Sequence, residues 1–580
     1  MTDLGNGLAA TKVPLGVVSA LAAAPDGSLY VATDQARVWR LLADGTLVTA
    51  VGRASPATGT GAFINDGLPG PLGVVGRITA LAVDAKGRLL MVDERGATRL
   101  DADGTLRVLV PANANVVGCV PGDGDDVFVL EEPFGDGHDT LVHVSGEAEP
   151  IATVQLDRSS GTSTFGAFAR DAQGTLLAKV FARDPGTAQL SAPAIVKLDA
   201  KTGTTSVVPA DGTGVLLPDG AVVPASQLQA PGASLAQVGP TARGHDGTYW
   251  VAEQADTGFS HARGVVYKGG SSWTPVAGLL AAPDVSRPVP AETLPLFDPT
   301  GTAVGPDGTV YVSERGTHQV LRLGGNGQVS AYVGVAQADC SNLLESCFKP
   351  GPGLATGLSG PSGLHADATG ALYVLPDGLP PGFPLVHVDA GGVAATIQAV
   401  AAGGDVAVGP GGTFAVATLQ GGLPAGIKAV DVAGQITNLP AFPPDPDNVM
   451  ANYAVPSLAY GPDGTLYAAE GDRLVAWVPG GAAWQVKLVN VRNRVAYGLA
   501  GLALDAHGRF FIASDDVLYE ADPATGKVQV LAGQGGKAFA GTTADTSVGQ
   551  ICGPAVAPDG SVVFVDRAHR QVKRVSHDLL

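Results

Sequence analysis

Carboxylates recur in this 580-residue sequence at one kind of place, directly after a short apolar run. Glu94, Glu253, Glu314, Glu470, Asp515 and Asp566 each follow or close such a run, and Arg95, Arg315 and Arg567 come next to three of them. Taken singly, such a residue caps a turn or pairs with its arginine. Gathered around an axis, several could line an acidic site or offer oxygens to Ca²⁺, which takes about six to eight of them. The segment QADTGFSHARG (254–264) places His261 near Asp256 and Glu253, a trio able to ligate a metal or act as a general base. Cys340 and Cys347 share one loop, ADCSNLLESCFKPG, at a separation that suits a small disulfide in an oxidising compartment. Cys119 and Cys552 adjoin strand starts and read as buried small hydrophobes. His138, His245 and His365 fall in or near loops. No G-x-S-x-G elbow, phosphate-binding Walker loop or H-E-x-x-H pair occurs.

The elements that must position these residues form a repeat. A short apolar strand, a P-D-G or D-A-x-G turn, a second strand, an acidic loop and a third strand recur along the chain. Examples are GSLYVATDQARVWRL (27–41), GRLLMVDERGATRL (87–100) and GTVYVSERGTHQVLRL (308–323). Eleven turn glycines from Gly27 to Gly560 return about every 53 residues, near the period of propeller blades. Glycine suits the turn because one residue of a tight reversal sits at positive φ, and the aspartate before it bonds its own backbone. A second turn, as at Asp44-Gly45 and Asn326-Gly327, leads into a fourth strand such as TLVTAV (46–51). Four antiparallel strands per unit predict an all-β propeller of about eleven blades, and no period of 3.6 persists to compete with it.

On these residues the chain resembles the NHL-repeat and SMP-30-like propellers. GPDGTVYVSERGTHQVLRL (305–323) and APDGSVVFVDRAHRQVKRV (557–575) look like NHL repeats, and LAGQGGKAFAGTTADTSVGQICGP (531–554) looks like the long connectors of that family. The family's Asn-His-Arg before the third strand is here Thr317-His318-Gln319 and Ala568-His569-Arg570. The match is therefore partial. His318 and His569 hold equivalent repeat positions and are expected to pack blades. The resemblance also implies a second class of function, because metal-dependent lactonases and lyases use this fold.

Propellers rarely exceed about eight blades, so the repeats are expected to form two rings. One spans 1–275, with five blades and a lone hairpin at 214–225, and the other spans 276–580, with six blades; a single large ring is the alternative. The last unit has only three strands, so WTPVAG (273–278) is expected to close the second ring and LAATKV (8–13) the first. If the first strand of each unit is innermost, the P-D-G turns lie on one face and the acidic residues on the other. That second face is the expected ligand-binding surface.

Composition narrows the partners. The net charge is −19, so nucleic-acid backbones are not expected as ligands. No stretch reaches the roughly 18 apolar residues of a membrane-spanning helix, so membrane insertion is not expected. LGVVSALAAA (15–24) has the look of a signal peptide but aligns with ITALAVDAKG (78–87), a strand before a turn. The Gly/Ala/Thr/Val bias favours an extracellular or periplasmic protein. The expectation is thus a non-catalytic binding or scaffold protein recognising a protein, peptide or glycan, with Ca²⁺ as the one cofactor considered. A metal-dependent lactonase- or lyase-like enzyme is the alternative.

Overall fold

A computed structural model describes residues 7–33, 37–52, 66–73, 75–93, 96–111, 115–132, 140–145, 148–154, 163–182, 194–208, 214–228, 238–244, 246–253, 264–269, 272–278, 284–335, 348–358, 360–376, 384–401, 405–420, 423–431, 435–439, 457–470, 473–479, 483–487, 501–514, 517–522, 524–533, 548, 551–567 and 570–575. Among them the secondary structure is antiparallel strands and short 3₁₀ turns, arranged in twelve sheets. The second strands of the repeats, such as Leu29–Thr33, Val310–Glu314 and Val562–Asp566, are buried at every residue. Each such sheet lies between two others, so both of its faces lose water and continuous apolar runs replace alternation.

The turns work as the sequence requires. Gly27, Gly308 and Gly560 have φ near +80°. Asp307 Oδ1 accepts the Thr309 N–H (3.0 Å) while Oδ2 accepts its hydroxyl (2.8 Å). In DAKGR and DAHGR one aspartate does more: Asp84 and Asp505 each accept backbone N–H groups two and four residues on and take the arginine Nε at 2.6 Å. Inner strands carry a bulge at their outset, between Val18 and Ala20, Pro299 and Gly301, and Pro361 and Gly363. A bulge bends and twists a strand, which suits one that lines an axis.

The chain divides into two compact units, most of one being Thr2–Asp256 with Ala262–Leu280 and most of the other Ala281–Leu580. In the first unit, four-stranded sheets span 80–111, 115–153, 163–207 and 238–277, and the sheet of 18–51 gains Leu8–Ala9 as a fifth strand. The hairpin Gly214–Leu216 and Val222–Pro224 stands between two of them. Leu216 packs with Ala169, Leu177 and Ile195, while Leu217 and Val223 pack with Val251. The inner strand Val18–Ala23 touches Ala80–Val83 on one side and Val238–Arg243 on the other, so the wedges return to their start.

In the second unit the sheets span 299–333, 361–401, 406–438, 457–487, 501–533 and 551–575. Their inner strands contact one another in that order, and Pro299–Val304 also contacts Ile551–Val556. Apolar clusters fill each blade interface. Tyr311 and Val320 meet Leu364, Val374 and Val386, and Val312 and Leu321 meet Val563 and Val565. Both units are β-propellers by this arrangement of radial sheets.

Two expectations about closure are corrected. Trp273–Ala277 pairs with Val266–Gly269 as the fourth strand of a blade in the first unit, and so does not supply the second. Its glycine decides the placement: Gly278 has φ +87°, and a Cβ there would meet the Gly264 carbonyl oxygen at 2.3 Å. Leu8–Ala9 is a fifth strand, not a fourth; it pairs outside Thr46–Val51 in the blade that follows. Closure comes from the next residue, because the Ala10 carbonyl accepts the Gly278 N–H (3.0 Å).

Candidate functional site

The carboxylates that end second strands have an inward task. Glu314 is buried, and its Oε1 accepts the backbone N–H groups of Phe297 (3.0 Å) and Asp298. Asp93, at the equivalent place in the first unit, accepts the Gly76 N–H through Oδ2 (2.7 Å). In both cases the side chain satisfies the backbone just before the inner strand of its own blade, where no ladder partner is available. Burial pushes the Glu314 carboxyl up, and the Thr317 hydroxyl and Asp298 N–H draw it back.

Arg315 and Arg567, from different blades, converge on Asp298. Arg315 Nε lies 2.8 Å from Asp298 Oδ2, and Arg567 Nε lies 2.7 Å from Oδ1. Asp566 is fully buried and holds Lys573 Nζ at 2.6 Å. Three of the sequence-derived residues therefore meet at Asp298, Arg315 and Arg567 at its carboxylate and Glu314 at its N–H, and link the first and last blades of the second unit, while Asp566 holds Lys573 within its own blade. Glu253 and Glu470 end the strands Tyr249–Glu253 and Leu466–Glu470. Glu94, Arg95, Asp256, His261 and Asp515 lie outside the described residues, as do Cys340 and Cys347. His318 packs blades: it sits at φ +61°, and its Nδ1 accepts the Gly360 N–H (3.0 Å) of the next blade.

The concave site is elsewhere. A cavity of about 370 Å³ follows the axis of the second unit, lined by the inner strands of all six blades. Glycine lets those strands approach the axis; a Cβ on Gly553 would lie 2.6 Å from the Gly301 Cα. The wall is rich in hydroxyls. Thr300 Oγ1 donates to the Pro361 carbonyl (2.8 Å), Thr302 Oγ1 to that of Val563 (3.2 Å), and Ser362 Oγ to that of Leu375 (3.2 Å). The first two bonds cross from one blade to its neighbour.

Asp405 is the one carboxylate among the described residues of this wall. Oδ1 accepts the Val406 N–H (2.8 Å) and Oδ2 the Leu458 N–H (2.9 Å), so it joins two blades. Burial pushes the acid up to about 6 despite the two N–H bonds pulling down. His365 shares the wall, and burial lowers it to about 4, leaving a neutral imidazole at pH 7. His365, expected in or near a loop, lies at the end of the strand Pro361–Ala366, two residues before the turn residue Asp367. Asp405 was missed because it precedes an inner strand, whereas the acidic residues singled out follow second strands. The available signal was an aspartate in GGDVAVGP with no turn glycine after it and no basic neighbour.

At one end the channel opens between the P-D-G and D-A-x-G turns, among them Pro306, Asp367, His507 and Asp559. Among the described residues no three His, Cys, Asp or Glu side chains converge as metal ligands. No helix of the described residues is long and apolar enough to cross a membrane.

Radial blades and an axial cavity define the class: a β-propeller protein. Comparison adds a repeat type. A family model described as NHL repeat matches residues 298–323, which hold the three strands Pro299–Val304, Val310–Glu314 and Gln319–Leu323 and the Asp298–Arg315 pair. The chain thus carries an NHL repeat. None of the curated proteins searched matches the sequence. Among solved structures the chain is similar to an auxiliary nutrient binding protein from Bacteroides thetaiotaomicron, at 10% identity, covering 80% of this chain and 97% of that one with a TM-score of 0.36. It is also similar to a gluconolactonase from Xanthomonas campestris (15% identity, 50% and 97% covered, TM-score 0.34) and to virginiamycin B lyase from Staphylococcus aureus (11%, 58% and 93%, TM-score 0.32). These are likenesses of fold alone.

Proposed function

We propose that the protein is a non-catalytic binding module, acting outside the cytoplasm, whose second unit holds a small hydroxyl-rich ligand of the glycan class in its axial cavity. The observation that carries this reading is the cavity wall: hydroxyls from several blades, one carboxylate and one neutral imidazole around about 370 Å³. That volume falls in the range of small-ligand sites, roughly 300–1,000 Å³. A carboxylate accepts hydroxyl protons strongly, and threonine and serine oxygens already donating to carbonyls still accept. A larger protein or peptide partner would dock on the face formed by the second-strand ends. The test is calorimetric titration of the purified chain with N-acetylglucosamine, glucose and their β-linked disaccharides. Saturable binding that weakens at least tenfold in Asp405→Asn supports the reading. Binding indifferent to that substitution, or none across the set, overturns it.

One observation favours a second reading, a lactonase- or lyase-like enzyme. A carboxyl titrating near 6 in a cleft is suited to take a proton at neutral pH. Here Asp405 would serve as general base. Hydrolysis of a sugar δ-lactone rising through pH 6, and lost in Asp405→Asn, would replace the binding reading.

A further inference from the structure

Asp405 differs from three other aspartates of this chain in what it holds. Asp84, Asp505 and Asp566 are buried, and each grips a basic side chain, that of Arg88, Arg509 and Lys573 in turn. Asp405 instead binds two backbone N–H groups, from Val406 and Leu458, and no ammonium or guanidinium of the described residues pairs with it. A carboxylate has about four acceptor positions, so about two remain. With the acid titrating at about 6, most of it is charged at pH 7. An unpaired charge in a wall shielded from water is costly, and a cation that enters beside it removes that cost.

The rest of the wall accepts more than it donates. Thr300, Thr302 and Ser362 give their hydroxyl protons to the carbonyls of Pro361, Val563 and Leu375, which leaves them lone pairs. Tyr460, Ser457 and the neutral His365 carry no charge, and the described lining residues include no lysine or arginine. There is also room next to the carboxylate. Gly363 stands on the inner strand of the neighbouring blade, and the point a Cβ would occupy there lies 3.9 Å from Asp405 Oδ1. An ammonium group suits this wall better than a hydroxyl, because it brings three N–H donors, no acceptor and a full positive charge.

We propose, resting on the glycan reading of this cavity, that its ligand is an amino sugar with a free ammonium group, seated on Asp405 beside Gly363. The ammonium takes the acceptor positions that the Val406 and Leu458 N–H groups leave, and the threonine and serine lone pairs take sugar hydroxyl protons. Neutral sugars enter the same cavity but leave the carboxylate without a cation. Acetylation removes the charge and two of the three donors, so N-acetylglucosamine belongs with the neutral sugars. A charge-assisted hydrogen bond is roughly twice as strong as a neutral one, and selectivity comes from that difference.

The test is calorimetric titration of the full chain at pH 7 and one ionic strength with glucosamine, glucose, N-acetylglucosamine and cyclohexylamine, repeated on Asp405→Asn. The expected result is saturable binding of glucosamine, roughly tenfold or more tighter than either neutral sugar, with the preference gone in the variant. Glucosamine no tighter than glucose overturns the proposal and leaves the glycan reading standing; this comparison needs only the parent chain, so it holds whether or not the variant folds. A preference that survives in Asp405→Asn also overturns it, by assigning the effect to the overall charge of −19. Cyclohexylamine bound as tightly as glucosamine supports the ammonium seat and overturns the glycan reading. No binding of any of the four overturns both.

Discussion

Replacing Asp405 by asparagine separates a charge effect from a hydrogen-bond effect, because only the first depends on pH. The folded chain holds this carboxyl at about 6, against an ordinary value of 3.8. A folded-state pKa above the unfolded one stabilises the fold below the unfolded pKa, and that stability is lost as pH rises through the folded value. The shift corresponds to at most about 3 kcal/mol, of which about 2 kcal/mol is lost between pH 4.5 and pH 8. Asparagine carries no such slope. It also turns an NH₂ toward one of two donors, the Val406 or Leu458 N–H, at a constant cost of about 1–3 kcal/mol. The variant should therefore be clearly less stable than the parent at pH 4.5. By pH 8 the gap should close by about 2 kcal/mol, to parity or beyond. Urea unfolding followed by circular dichroism at the two pH values measures this, since all other titrating groups are common to both proteins. A gap of the same size at both would refute the placement of Asp405 as a partly buried, pH-sensitive member of the cavity wall.

Two further substitutions probe the frame around the site. Glu314→Ala leaves the Phe297 and Asp298 N–H groups without an acceptor and should cost about 2–4 kcal/mol in unfolding free energy, whereas Glu314→Gln keeps Oε1 and should cost clearly less; equal losses would contradict the assigned task. Gly334→Ala places a methyl 2.3 Å from the His318 oxygen at φ +102° and should lower the denaturation midpoint by the equivalent of more than about 2 kcal/mol. Gly325→Ala, with open space around it, should leave that midpoint unchanged.

The blades were legible in the sequence because their signals are local. Gly308 needs positive φ, Asp307 bonds its own turn, and VYVSE reads as a strand buried on both faces. Other features depend on distances between blades, and local signals do not carry these. The position of Glu314 was readable; its bond to the backbone sixteen and seventeen residues earlier follows from how a blade folds back on its own entrance. WTPVAG read as the strand that closes the second unit, but it completes its own blade in the first, where Gly278 meets Gly264, two residues that the sequence alone does not pair. Asp405 belongs to the cavity only because the six inner strands surround a common axis.

The clasp at Ala10 has a wider meaning for the first unit. A linear array of repeats frays from its two terminal members, which is why such arrays need special end repeats. Joining the wedge of 238–277 to the wedge of 18–51 through the Gly278–Ala10 bond leaves no terminal member to fray, so unravelling must begin by breaking a link in the circle. Residues 7–12 are therefore part of the hoop, and trimming them would leave its first and last wedges joined only by the packing of Val18–Ala23 and its neighbours on the blade of 238–277.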